Sequence, residues 1–411
     1  MSILENKKNK LNLQQGQEWR NWSGSLKFTP GAVLEPESEQ EVVTLINRAR
    51  KEKKQVRVVG AGHSSTALVQ TDDYLLSLKH FKGVEDVDRS MHRATVLAGM
   101  TVKEAGKDLY RYGLAMHNTG DVDVQTLAGA IGTGTHGTGK RLPNLSTILV
   151  GVRMVTGRGE IIETSIDKDP DLFRALRVAL GTCGVFLKMR LQLEPVYELQ
   201  RKEWCVPIEK CLQDLESLKE NNRNFDFYWY PRSDMAKIRV MNVVGEPMPE
   251  ISYGSLEREN QGYSHEILPR TRNLKFDEIE YALPAENGPA CFRRVRDEIR
   301  KHFRKEVAWR LLYRTIAADD TYISPMYGRE SITISLHHNA GLPFDEYFKA
   351  IEPILLDYGG RPHWGKKHYQ KASRLKRLYP QWSRFHQIRK RLDPDGVFLT
   401  PYLRELLMEE K

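Results

Sequence analysis

Apolar side chains at Val42, Val43, Ile46 and Ala49 recur at helical spacing behind Ser38 and Glu41. The spacing predicts a helix over about 39–52 opened by a Ser-x-x-Glu capping box. Gln55–Val59 is β-branched and predicts a strand, as do Tyr74–Leu78 (after the turn residues Thr71-Asp72-Asp73) and Thr95–Ala98. Val102–Tyr112 has a helical pattern closed by Gly113, and Leu127–Ile131 starts a short helix. Ile148–Val155 and Glu160–Thr164 flank Gly157-Arg158-Gly159 as a hairpin. Leu193-Glu194-Pro195 ends this strand-and-helix half, giving a first domain over 1–195.

The pattern then changes. Glu203–Val206, Phe225–Tyr230, Ile238–Val244, Phe276–Leu283, Leu311–Ala317 and Ser331–His337 are short alternating strands. Helices are predicted at Ala290–Phe303 and Phe344–Tyr358; Pro353 should kink the second and Gly359-Gly360 end it. The expected class is α+β, with a second domain over 196–385 built on an antiparallel sheet and a terminal segment, 386–411, returning to the first domain.

Composition narrows the picture. The 411 residues suffice for two cores, and 40% hydrophobic with 28% charged residues is ordinary for a globular enzyme. No apolar run approaches the roughly 18 residues of a membrane helix, and Met1–Gln17 is polar without the apolar centre of a secretory signal, so a cytoplasmic protein is expected. Cys183, Cys205, Cys211 and Cys291 form no metal-ligand pattern and are expected to be free thiols. The net charge of +9 is dispersed, with no basic element interleaved with aromatics, so nucleic acid is not an expected partner.

Chemistry concentrates in two small-residue loops. Val59-Gly60-Ala61-Gly62-His63-Ser64 follows the strand at Val56, and Ile131-Gly132-Thr133-Gly134-Thr135-His136-Gly137-Thr138-Gly139 follows the short helix. Such loops let the main chain approach a diphosphate and offer it N–H groups and hydroxyls. Gly132-x-Gly134-x-x-Gly137 also matches a nicotinamide-dinucleotide string, but no β-branched strand feeds it and Pro143 blocks the helix it should open. By residue type alone, His63 could be no more than a hydrogen-bonding side chain.

The two loops together resemble the FAD domain of the vanillyl-alcohol-oxidase superfamily (PCMH type), in its aldonolactone oxidase and alditol oxidase branch. The likeness extends over about residues 20–405, through Asn21-Trp22-Ser23-Gly24, Gln125–Gly139, Arg361-Pro362-His363-Trp364-Gly365-Lys366 and Asp393–Phe398, and is weakest between 196 and 270. It implies a two-subdomain FAD domain and FAD carried covalently on His63 through the flavin 8α-methyl carbon. Cofactor contacts are implied for Val58, Val59, Gly60, Ala61, Gly62, His63, Ser64, Asp121, Thr126, Gly129, Thr133, Gly134, Thr135, His136, Val185 and Lys366.

On the substrate side the resemblance implies Asp121, Arg314, His337 and Lys366. Arg314 and Lys366 would stabilise negative charge, and His337 is the candidate base. Gly120 falls where dehydrogenase relatives carry an oxygen-obstructing alanine, which implies oxidase behaviour. Asp121 stands where alditol oxidases have serine, and Leu312 where relatives have the glutamate of Glu-x-Arg. By residue type, Asp121 could be a turn residue, Arg314 a structural ion-pair member, and His337 a hydrogen-bonded core histidine. Of His337 and His338, alternation turns one inward, and no third ligand is spaced to complete a metal site. The implied function is oxidation of an aldono-1,4-lactone (D-arabinono type) with O2 reduced to H2O2. An alditol oxidase comes second and a dehydrogenase third, with a flavin-binding carrier as the non-enzymatic alternative.

Overall fold

Ser38 caps the helix Glu39–Glu52, its hydroxyl accepting from the Glu41 N–H, and Val42, Leu45, Ile46 and Ala49 are buried beneath it. The reciprocal half of the expected capping box is displaced by one residue, because the Glu41 carboxylate accepts from the Glu37 N–H at 2.9 Å. The structure, a computed structural model, describes residues 16–269 and 274–408; most of the polar start at 1–17 lies outside that range. The strands Ala32–Leu34, Tyr74–Ser77 and Val56–Val59 form a parallel sheet. A five-stranded antiparallel sheet runs Ile161–Ser165, Leu149–Val155, Val185–Gln192, Arg93–Leu97, Val84–Asp88. The helix Val102–Tyr110 has a complete capping box, Thr101 with Glu104, that the apolar pattern did not disclose.

Arg57 locks these pieces together. Wholly buried, it donates to the carbonyls of Leu68, Leu180, Gly181 and Phe398, so the strand leading to the Gly60 loop is tied to the C-terminal segment. Burial pushes its guanidinium down to about 10.

The second half is one eight-stranded antiparallel sheet, ordered Ser255–Tyr263, Glu198–Pro207, Met235–Val243, Asn224–Tyr230, Leu311–Ile316, Ser331–Asn339, Phe276–Pro284, Arg361–Pro362. Its two faces differ because side chains alternate. Phe225, Phe227, Trp229, Leu311, Tyr313, Ile334, Leu336, Ile279 and Tyr281 pack with the helices Gly288–Glu298 and Asp345–Asp357 in a second core. The alternate positions carry charge and meet the first half. Pro353 sits inside the helix Asp345–Asp357, which is continuous through it.

Ser255–Tyr263 is an exposed polar edge strand, invisible to hydrophobic periodicity. The boundary drawn at 385/386 cuts the helix Trp382–Leu392, and the return to the first core begins earlier. Trp364, Ala372, Leu375, Tyr379, Trp382 and Phe385 are already buried in it.

Candidate active site

The charged face of the large sheet and the two small-residue loops enclose one cleft. Its walls include His63, Gly120, Asp121, Gln125, Thr135, His136, Glu278, Glu280, Leu312, Arg314, His337, His363 and Lys366. Strand register explains the gathering: Glu278 lies opposite His337, Glu280 opposite Ser335, Leu312 opposite Tyr228, and Arg314 opposite Asp226. His338, one residue on, turns to the other face and its ring lies 6.0 Å from that of Tyr347.

Burying so many polar groups is tolerable only if they satisfy one another. Asp121 accepts from Arg239 Nη1 at 3.0 Å, from the Tyr228 hydroxyl at 3.0 Å, and pairs with Arg314 Nη2 at 2.8 Å. Arg239 in turn chelates Asp226. Asp121 is therefore the clamp between the halves, a role the sequence did not suggest, and Arg239, Asp226 and Tyr228 were missed with it. The Nε–H of Arg314 is buried and meets no acceptor among the described residues.

Glu280 accepts from His136 Nε2 at 2.7 Å and from the Ser335 hydroxyl. His136 Nδ1 faces the Gly137 carbonyl at 2.9 Å, so both ring nitrogens face acceptors. Burial raises the Glu280 carboxyl, but His136, His363 and Lys366 outweigh it and hold it well below the usual range. His136, Glu280 and His363 each bring a potential ligand atom to within 4.8 Å of the others, a grouping that spacing did not reveal. Both His136 nitrogens and His363 Nδ1 are committed to hydrogen bonds, however: His363 Nδ1 accepts from the Gly365 N–H at 3.1 Å, which puts the proton of the neutral ring on Nε2. Burial holds His363 down at about 4. Lys366 donates to Glu278, and His337 Nε2 lies 3.7 Å from the same carboxylate.

Glu278 and Glu280 were also missed. A signal was there: Glu278 and Glu280, at i and i+2 in the strand pattern Phe276–Leu283, fall on one face of a strand and so form a polar pair.

The residues expected at FAD lie beside His63 in the Gly60 loop and the short helix Leu127–Thr133. Gly60, Ala61 and Gly129 are exposed, while Val58, Gly62, Ser64, Thr126 and Thr133 are half-buried. A Cβ at Gly60 would fall 1.9 Å from Thr126 Oγ1, and one at Gly129 2.9 Å from it, so the bare backbone is a geometric requirement. Gly62 has φ +64 and backs onto Trp19. The loop is pinned by Ser65 N–H to the Gly365 carbonyl, 2.9 Å, and Thr66 Oγ1 to the Trp364 carbonyl, 3.0 Å. His63 opens onto the cleft with its ring 4.7 Å from that of Trp22. Val59 is buried; Val185 is wholly buried in the first core, and Gly134 closes the short helix Leu127–Thr133 with φ +74.

A family model described as D-arabinono-1,4-lactone oxidase matches residues 189–258 and 248–406, and an FAD binding domain model matches 30–165. The L-gulono-1,4-lactone dehydrogenase of Mycobacterium tuberculosis (strain ATCC 25618 / H37Rv) is 35% identical, over 95% of this chain and 99% of that protein. The chain belongs to the D-arabinono-1,4-lactone oxidase family. It is an FAD-dependent oxidoreductase, and the bare backbone of Gly60 and Gly129, where a Cβ would meet Thr126, fits that cofactor. The L-gulonolactone oxidase of Bos taurus is 28% identical over 95% of this chain and 98% of that protein. The crystal structure of cholesterol oxidase from B. sterolicum superposes with a TM-score of 0.83 at 17% identity, over 98% of both chains, a likeness of fold. No helix of the described residues is long and apolar enough to cross a membrane.

Proposed function

We propose that this protein oxidises a hydroxyl carbon of a neutral aldono-1,4-lactone, with FAD bound covalently to His63 and O2 as the electron acceptor. The observation that carries the substrate reading is the charge balance of the cleft. Lys366 is matched by Glu278, His136 by Glu280, and Arg239 with Arg314 by Asp121 with Asp226. With these groups matched, the cleft favours a neutral, hydroxyl-rich ring over an open-chain sugar acid, whose carboxylate would meet the three cleft carboxylates Asp121, Glu278 and Glu280. The unmatched Arg314 Nε–H supplies a donor for a substrate oxygen. Leu312, in the polar wall, disfavours the extended hydroxyl contacts of an alditol.

FAD, when bound, would supply the two-electron acceptor for the hydride leaving the substrate carbon. Lys366 stabilises the negative charge that develops on the substrate oxygen, and His337 accepts the hydroxyl proton. His63 supports the covalent link by its place in the cleft beside the Gly60 loop. Support for O2 comes from Gly120: it lines the cleft, and an added Cβ would press on Thr135 Cγ2 at 3.0 Å. The relative named as a dehydrogenase favours a second reading, in which another acceptor takes the electrons. Four free thiols fit a reducing compartment, and we assign the protein to the cytoplasm.

The test is anaerobic mixing with L-gulono-, D-arabinono- and L-galactono-1,4-lactone, their open-chain acids, and xylitol, while the visible flavin band is followed. Lactones should bleach it and the acids should not; bleaching by none would leave a flavin carrier. Acid-precipitated protein should stay yellow and that of H63A should not. Stoichiometric H2O2 would separate O2 from a dye acceptor.

A further inference from the structure

We propose that Glu278 is a positioning residue for the reaction: one carboxylate holds the Lys366 ammonium and faces His337 Nε2, so that a proton reaching His337 is stabilised by a charge Lys366 already fixes. The inference rests on the functional reading above, and it concerns a side chain that no motif singled out.

The geometry is set by the sheet. Glu278 and His337 are direct partners in the antiparallel pairing of Phe276–Pro284 with Ser331–Asn339, so their side chains rise together from the same face. The His337 ring stands edge-on to Phe276, centroids 4.8 Å apart, and parallel to Trp309 at 6.0 Å. Its Nδ1 lies 3.2 Å from the Arg310 carbonyl, which can only accept. Nδ1 therefore carries a proton, and in the neutral ring the lone pair is on Nε2, the atom 3.7 Å from Glu278 Oε1. The other oxygen, Oε2, receives Lys366. The lysine is held by its backbone as well, its N–H donating to the His363 carbonyl at 3.0 Å.

The order of charges along the cleft is thus ammonium, carboxylate, imidazole. Burial pushes the Glu278 carboxyl up, but Lys366 and His337 bring it below its usual range, so it stays ionised. In the reaction the substrate O–H proton would pass to His337 Nε2, and the C–H hydrogen would leave with its bonding pair as hydride to the bound FAD as the C=O bond forms. Before the step Glu278 balances Lys366 alone; after it the same carboxylate faces two cations. The other ionisable groups on the cleft are His63, Asp121, His136, Glu280, Arg314 and His363. Asp121, His136, Glu280 and Arg314 are paired with one another or with Arg239, while Glu278 lies 3.7 Å from His337 Nε2.

Two substitutions move His337 in opposite directions. Glu278→Gln keeps the shape and removes the negative charge; Lys366→Met leaves the charge and frees it from its partner. Titration of 15N-histidine-labelled holoenzyme, with His337 assigned through His337→Gln, should show His337 losing its proton about one pH unit lower in E278Q and higher in K366M. The acid limb of kcat/KM for the best lactone should shift down with it in E278Q, with kcat reduced at least tenfold. Glu278→Asp should restore the limb more than the rate, because it returns the charge at a longer reach. An unmoved His337 titration in E278Q, or a K366M shift in the same direction as E278Q, would overturn the proposal. If E278Q does not fold, K366M and E278D still read the coupling. A wild-type enzyme that oxidises no lactone would refute the functional reading instead, and the resonance shifts would remain as the test of this one.

Discussion

Replacing Glu280 with glutamine strikes the most deeply buried charge pair between the halves. Both side chains of the pair are 2% exposed, so water cannot take over when one partner is lost. Glu280 also accepts from Ser335, so a single carboxylate serves two donors. Glutamine has one acceptor oxygen, and its NH2 group would be forced toward either the His136 N–H or the Ser335 hydroxyl. Breaking one side of a buried pair costs about 3–5 kcal/mol. An unfolding entropy of about 2.1 cal/mol/K per residue, taken over 411 residues, is about 0.9 kcal/mol/K, so Tm should fall by about 4–6 °C if the chain unfolds as one unit. If the sheet half melts separately, its own transition should fall further. Differential scanning calorimetry of wild type, E280Q, H136Q and the double variant measures both the shift and the coupling. The double variant should be more stable than the sum of the single losses by at least about 1 kcal/mol. A shift in E280Q below about 1 °C, or simple additivity, would show that the pair does not join the halves.

Gly60→Ala should lower FAD content sharply, because its methyl would overlap Thr126 Oγ1; the ratio of visible to protein absorbance checks this, and the added Thr126→Ala should restore part of it. Acid should destabilise the fold through His117, His363, His368 and His386, each held neutral by burial at about 4. Between pH 6.5 and 4 the unfolded chain binds more protons than the folded one, so stability present at pH 7 is lost as pH falls. The slope should approach about 5 kcal/mol per pH unit at most, read from urea midpoints. Leu312→Glu should raise xylitol turnover relative to lactone about tenfold in kcat/KM, by putting an acceptor where the wall is apolar. Gly120→Ala should slow reoxidation by O2 while leaving anaerobic bleaching by lactone nearly unchanged, measured by stopped flow.

Local rules carried much of this molecule. Ser38, the β-branched Val56–Val59 run, Gly113, and the alternation in Phe225–Tyr230 and Ser331–His337 are short-range signals, and the elements form where they predict. The Gly/Thr loops were legible because only tiny side chains permit the approach of Gly60 to Thr126. Period two showed only that one of His337 and His338 turns inward; the family resemblance, not the period, singled out His337. The sequence could not show that Glu278 and His337 are cross-strand partners, nor that Asp121 and Arg239, 118 positions apart, share a hydrogen bond. Those pairings depend on strand order and on how two halves dock, which no local propensity encodes. The polar edge strand Ser255–Tyr263 was hidden for a related reason: it exists because the strand Glu198–Pro207 offers it a ladder, not because it buries an apolar face. Sequence determined which chemistry was present; tertiary structure decided which carboxylate answers each cation.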